Sequence, residues 1–186
     1  MLLWKKLSLF QKVNANKIMK HILEHIEKEL PNLLQNKELW QSLYVDYYKP
    51  FVKRLWINYV FDNKKYRIYL HEIESCDIKE SLFHPHPWPS IMRLLSGSYE
   101  MIVGYGSGLK EPPVALSLNL PQGTIYEMSN IDGWHAVAPT QYSSFSLMIS
   151  GEPWDRESHK SSKSLRELTS IEKENIFNFF KNVYNS

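Results

Sequence analysis

His84-Pro85-His86-Pro87-Trp88-Pro89 and, further along, Gly133-Trp134-His135-Ala136-Val137 are the stretches on which the reading of this chain turns. Two histidines one residue apart on a strand point to the same face, because side chains alternate with a period of two. Neutral imidazoles are good ligands for iron, nickel, copper and zinc. A third histidine on a neighbouring strand completes a three-point site and leaves other coordination positions open for water or substrate. Alone, His84 and His86 are equally well part of a polar loop stiffened by Pro85, Pro87 and Pro89. With His135 on a strand of its own, metal ligation becomes the better reading of all three.

Outward from these stretches the chain is rich in strand signals. Phe51 to Phe61 and Tyr66 to Ile73 are aromatic and β-branched, with a hairpin turn at Asp62-Asn63-Lys64. Further strands are expected at Ser90–Leu95, Ser98–Tyr105, Val114–Leu120, Thr124–Met128, Trp134–Val137 and Tyr142–Ser150. Gly104, Gly106 and Gly108 mark a flexible tip before Pro112-Pro113. Short strands with turns between them predict a sandwich or barrel. The ends read as helical. Ile18, Met19, Ile22, Leu23, Ile26 and Leu30 recur at helical spacing, from a start near Asn14 or Asn16 to a stop at Pro31. A second helix is predicted over Lys37–Tyr47, ahead of Pro50. Near the C-terminus, Thr169 and Glu172 fit a capping box, and Ile176, Phe179, Phe180 and Val183 give the following helix an apolar face. The expected organisation is one compact domain: a helical extension over 1–50, a β-barrel over 51–156, and a linker with the terminal helix over 157–186.

Composition narrows the class. The chain has 186 residues, 43% of them apolar, enough for a core. A net charge of +2 is too small to argue for nucleic acid or an anionic membrane. No segment approaches an uninterrupted apolar span. Cys76 stands alone, so no internal disulfide forms, and a reducing, cytoplasmic setting is expected. The expected partner is a small-molecule substrate or ligand.

The two histidine stretches resemble the paired motifs of the cupin superfamily. The first motif is roughly Gly, five residues, His-x-His, three or four residues, Glu, six residues, Gly. His84, His86 and Gly97 keep their places, Ile78 replaces the leading Gly, and Ser90 or Ile91 the Glu. The second motif is roughly Gly, five residues, Pro-x-Gly-x-x-His, three residues, Asn. Gly123 and His135 match it with one extra residue between them, and Asn130, Asp132 and Pro139 stand at the Pro, Gly and Asn positions. In a second register, Pro121, Gly123 and Asn130 fit the motif with Tyr126 in place of the histidine, giving two histidines and a tyrosine. The resemblance covers about Phe51 to Arg156. It implies a mainly β fold, a cupin-type jelly-roll barrel with helical extensions. It also implies a divalent first-row transition metal on His84, His86 and His135, Fe(II) before Ni, Zn or Mn, and it allows a homodimer. Among cupins, three histidines resemble the iron site of the thiol dioxygenases such as cysteine dioxygenase. That family has Ser-x-His-x-Tyr on the following strand, where this chain has Ser146-Leu147-Met148-Ile149-Ser150. The serine is kept and the other two are not, so thiol oxidation does not carry over.

Trp88, Arg93, Tyr126, Arg67 and His71 are the candidate substrate contacts, each on a strand expected to border the metal. Strand parity turns alternate residues outward, so at most half should face the pocket. Trp88 and Trp134 flank the ligands and are pocket wall or plain core. Glu100 and Glu127 are candidates for the missing carboxylate, against a surface role. His21 and His25 are one helical turn apart but flank an apolar stripe, and His159 sits in a Ser/Lys-rich connector; all three are read as non-ligands. Three functions are compatible: a small-molecule oxygenase of dioxygenase-like type, a non-catalytic metal or ligand-binding cupin, and a metal-free sugar-nucleotide isomerase-like cupin with histidine acid–base chemistry.

Overall fold

The computed structural model describes residues 19–184 apart from 158, 160 and 163. The expected helix start at Asn14 or Asn16, and Ile18, lie outside the described residues. Helix α1 covers residues 19–33 and α2 covers Ser170–Tyr184. Between them lie β1 Gln41–Val45, β2 Val52–Phe61, β3 Lys64–Ile73, β4 His84–Pro85, β5 Ser90–Ser96, β6 Tyr99–Tyr105, β7 Val114–Leu120, β8 Ile125–Met128, β9 Gly133–Pro139 and β10 Ser144–Ser150. They form a six-stranded sheet in the order β1-β2-β3-β10-β5-β8 and a four-stranded sheet in the order β4-β9-β6-β7.

The two sheets pack face to face. Ile73 and Leu94 of the larger sheet bury against Tyr99, Met101, Leu120 and Val137 of the smaller. No strand ladder joins them among the described residues, so the mainly β expectation is met by an open sandwich and not by a closed barrel. The proline run supplies a physical reason at one edge. Pro85, Pro87 and Pro89 lack N–H donors, so β4 stops after two residues and cannot carry a ladder onward.

Strand alternation gives the larger sheet two faces of different character. Leu55, Ile57, Ile68, Leu70, Ile91, Leu147 and Ile149 point to the helices. There they meet Ile22, Leu23, Ile26 and Leu30 of α1 and Ile176, Phe177 and Phe180 of α2. Each fully buried Leu or Ile contributes roughly 1.5–3 kcal/mol. In α2, Phe177 takes the buried place expected for Val183, which is largely exposed, and Phe179 stacks on Phe145 at 3.9 Å. The other face carries Arg54, Trp56, Tyr69, His71, Ser146, Met148, Met92 and Tyr126 in register rows. This is the face turned to the site.

Two helix expectations change. α1 runs past Pro31 to residue 33, because a proline in the last turn forfeits one hydrogen bond while Leu30 and Leu34 stay fully buried. The predicted helix over Lys37–Tyr47 is a single 3-10 turn at Lys37–Leu39 followed by β1. Leu43, Tyr44 and Val45 are good strand formers, and pairing with Arg54, Lys53 and Val52 outweighs local helix formation. The predicted β2–β3 turn is present, with Asp62 and Asn63 both at positive φ, 49° and 57°. Gly97 turns β5 into β6 at φ 77°, and a side chain there would run into Ser144. Among the described residues no helix is long and apolar enough to cross a membrane.

The capping box at α2 forms as predicted. Glu172 N–H donates to Thr169 Oγ1 at 3.3 Å, and Thr169 N–H donates back to Glu172 Oε2 at 2.8 Å. Arg166 also grips Glu172 through both carboxylate oxygens, at 2.7 and 2.8 Å. That grip, with the Thr169 bonds, draws the carboxyl from its ordinary 4.5 down to about 2. A depressed carboxylate stabilises the fold above its free value and loses that contribution as pH falls towards the folded one. Thr169→Ala is expected to cost about 1 kcal/mol. The wild-type advantage in Tm over Glu172→Gln should shrink as pH is lowered from 5 towards 2; a pH-independent difference would remove the Arg166–Glu172 grip from the account.

Candidate metal centre

The three histidines come together from two neighbouring strands and one turn. β4 pairs with β9 so that His84 lies directly opposite His135, which places both side chains on one face. His86 follows β4 by one residue and returns to the same side. His135 thus stands on a strand that neighbours the pair within one sheet. One ring nitrogen from each of the three lies within 4.8 Å of the others. His86 Nε2 and His135 Nε2 are 2.8 Å apart, and the ring centroid of His84 is 5.3 Å from that of His86 and 4.9 Å from that of His135.

Neighbouring groups fix the rings. His84 Nδ1 is 2.9 Å from the Leu82 carbonyl. A carbonyl only accepts, so that nitrogen carries the proton and Nε2 keeps a free lone pair. His86 Nδ1 is 2.8 Å from Ser90 Oγ, whose residue is fully buried. His135 Nδ1 is buried and lacks a hydrogen-bond partner. Burial holds His84 below the ordinary histidine value and His86 and His135 well below it, with neighbouring imidazoles adding to the effect on the latter two. Neutral imidazoles that turn one ring nitrogen each into one small volume are what a transition metal needs. The donor set therefore fits such an ion.

The site opens on a cavity of about 210 Å³. His71, Trp88 and Tyr126 line it. Tyr126 sits with its ring 6.2 Å from that of His135 and donates its hydroxyl to Met92 Sδ at 3.0 Å, outside the histidine cluster. Arg67 is on the same sheet face but lies over Trp56 at 4.5 Å, bonds Asn58, and borders a second cavity that shares only Trp88 with the first. Arg93 is on the helix side, where its Nε lies 2.6 Å from Glu27 Oε1. Parity decides this: Arg93 is one residue from inward-facing Met92. Glu127 shares the outward parity of Arg93, Glu100 sits on β6 opposite Ala138, and neither joins the histidine cluster. His25 bonds Tyr59 at 2.9 Å and stacks on Phe61, and His21 also packs by Phe61.

Two contributors were not anticipated. Arg54 lies opposite His71 on the site face, and its charge acts on His71, His84 and His86. His159, in the Ser/Lys-rich connector, is half-buried, packs against Tyr48 and lines the cavity.

No family model matches the chain, and no curated protein matches it. Among solved structures, hydroxypropylphosphonic acid epoxidase from S. wedmorenis is similar at 16% identity and a TM-score of 0.45, over 61% of this chain and 56% of that one. A structure of Fe(II) HppE aligns at 14% identity and the same TM-score, over 61% and 57%. A Co(II) HppE complex with substrate aligns at 14% and 0.40, over 53% and 51%. The alignments span little more than half of those chains, and likeness at this level assigns neither family nor chemistry.

Proposed function

We propose that this chain is a cupin-type metal protein in which His84, His86 and His135 hold one divalent first-row transition metal, Fe(II) before Ni, Zn or Mn. We further propose that it acts as an oxygenase on a small molecule bound in the adjoining cavity. The observation that carries the reading is the convergence of three neutral imidazoles, two buried and one half-buried, on one wall of that cavity. Such an ion would supply Lewis acidity and, if iron, one-electron redox chemistry. The protein's own groups do the rest. The Leu82 carbonyl holds His84 in its tautomer and orientation, and the Ser90 hydroxyl orients the His86 ring. Trp88, Met92, Met148 and Tyr126 keep much of the cavity wall apolar, so bound polar groups interact more strongly than in water.

Metal analysis of the purified protein with oxygen-uptake measurements tests the reading. One ion per chain and substrate-dependent uptake are expected; one ion without turnover leaves a binding protein. Protein with neither metal nor strong affinity for it would overturn the proposal. The 2.8 Å contact between His86 and His135 favours a second reading, a metal-free hydrogen-bonded pair acting in acid–base chemistry. Both rings titrate well below neutrality, which suits ligands better than a base working near pH 7.

Ser90 is one of the two residues, with Ile91, that stand at the cupin Glu position, and its hydroxyl serves His86. Ser90→Ala leaves His86 Nδ1 without its partner and is expected to weaken metal affinity by about 10–100-fold with little loss of fold. Unchanged affinity in a chelator competition would show that His86 needs no such orienter.

A further inference from the structure

We propose that Arg54 anchors a carboxylate, so that the cavity takes a small carboxylic acid with its other end at the three histidines. The position of that other end rests on the metal-centre reading; the anchor does not.

The chain's other arginines have partners. Arg93 pairs with Glu27, Arg166 with Glu172, Arg156 donates to the Gly106 carbonyl, and Arg67 bonds Asn58 and covers Trp56. Arg54 contrasts with them. Its Nε is buried without a hydrogen-bond partner, as are those of Arg93 and Arg156, but unlike in their case none of the charged groups acting on its guanidinium is a carboxylate. The residues outside the described set include no Asp or Glu to supply one. An unpaired guanidinium in a low-dielectric wall is costly, so a ligand that pairs it gains more than the same contact would in water.

The cavity supports the same conclusion. No Asp or Glu lines it, while Arg54, Lys49 and the histidines do. Lys49 is engaged by both oxygens of Glu80 at 2.9 Å. That leaves one planar fork, which matches one carboxylate; a phosphate dianion generally calls for more cations or a cluster of backbone N–H groups. The fork is oriented by Tyr69, whose ring centroid lies 5.6 Å from the Arg54 guanidinium carbon. Directly opposite Arg54 on β3 is His71, whose Nε2 is buried and also unpartnered. Two unsatisfied polar groups thus stand side by side on the cavity face. The volume, about 210 Å³, is below the roughly 300–1,000 Å³ of drug-sized pockets. A small metabolite fits that limit.

Calorimetric titration of the full chain, both metal-loaded and chelator-treated, tests this with lactate, succinate, lactamide and inorganic phosphate as probes. At least one carboxylate should bind saturably to wild type, with neutral lactamide weaker than lactate. Arg54→Gln should weaken carboxylate binding by at least about 10-fold and leave metal content unchanged. Arg54→Lys, which keeps the charge and loses the fork, should fall between the two and stands in if the glutamine variant does not fold. Arg54-dependent binding that survives in chelator supports the anchor even where the metal reading fails. Metal-loaded protein whose carboxylate binding ignores Arg54 overturns the anchor and leaves the metal reading intact. Absence of saturable carboxylate binding, or tighter binding of phosphate than of either carboxylate, would also overturn it.

Discussion

His86→Ala protein is expected to emerge from metal loading with essentially no bound metal, where wild type holds one ion per chain. His86 is the middle member of the cluster, its Nε2 2.8 Å from that of His135 and its ring 5.3 Å from that of His84. Removing it leaves two imidazoles on one strand pair and no carboxylate near enough to replace the lost donor. The imidazole borders an existing cavity, so water can fill the gap, and the fold should survive. His25→Ala is the control. It removes a bond to Tyr59 and a stack on Phe61 and should leave metal content alone. Metal retained in His86→Ala but lost in His25→Ala would put the site on α1. The pH dependence has a definite sign. With the folded His86 and His135 held well below 6.5 by burial, occupancy should persist as pH falls through 6.5 and fail only below it. The metal-free protein should lose stability as pH drops below 6.5, because the unfolded chain then takes up protons that the folded chain refuses.

Much of this site could be read from residue order, and the gaps have identifiable causes. Period-two spacing puts His84 and His86 on one side, and the structure brings His135 of the paired strand next to them. What spacing could not supply was pairing: whether β9 lies beside β4 or across from it depends on contacts remote in sequence. Arg93 is one of the candidates that parity turns outward: it alternates with Met92, so the strand that faces Met92 to the cavity faces Arg93 to the helices. Arg54 was recoverable. A two-residue turn at Asp62-Asn63 sets Phe61 opposite Lys64, and counting back along both arms brings Arg54 opposite His71. The false helix over Lys37–Tyr47 shows the reverse case. Its residues satisfy a helical pattern, yet β2 offers them a ladder, and tertiary pairing overrides local preference. The strand count allows a sandwich or a barrel, and the cupin resemblance implies the barrel, but closure needs a continuous edge that the proline run at β4 cannot provide.

Trp134→Ala is expected to be the most destabilising single change near the site, at about 3–5 kcal/mol, with Tm lowered by on the order of 10 °C. Trp134 is fully buried, one residue before His135, and faces away from the cavity. There it packs with Phe83 at 5.6 Å and with Ala136, and lies under the Arg156 guanidinium at 5.7 Å. Its Nε1 donates to the Gly106 carbonyl at 2.8 Å, tying the glycine-rich tip to β9. Truncation opens a cavity on the outer side of β9, and relaxation into it shifts the strand that carries His135. Metal affinity should therefore fall along with stability, though Trp134 touches no substrate. Trp134→Phe separates the two contributions. It keeps most of the packing and loses the Gly106 bond, for a cost of about 1 kcal/mol and near-normal metal binding. Denaturant unfolding of both variants gives the comparison. A loss below about 1.5 kcal/mol for Trp134→Ala, far short of a buried aromatic truncation, would mean that the outer face of β9 is not packed as described.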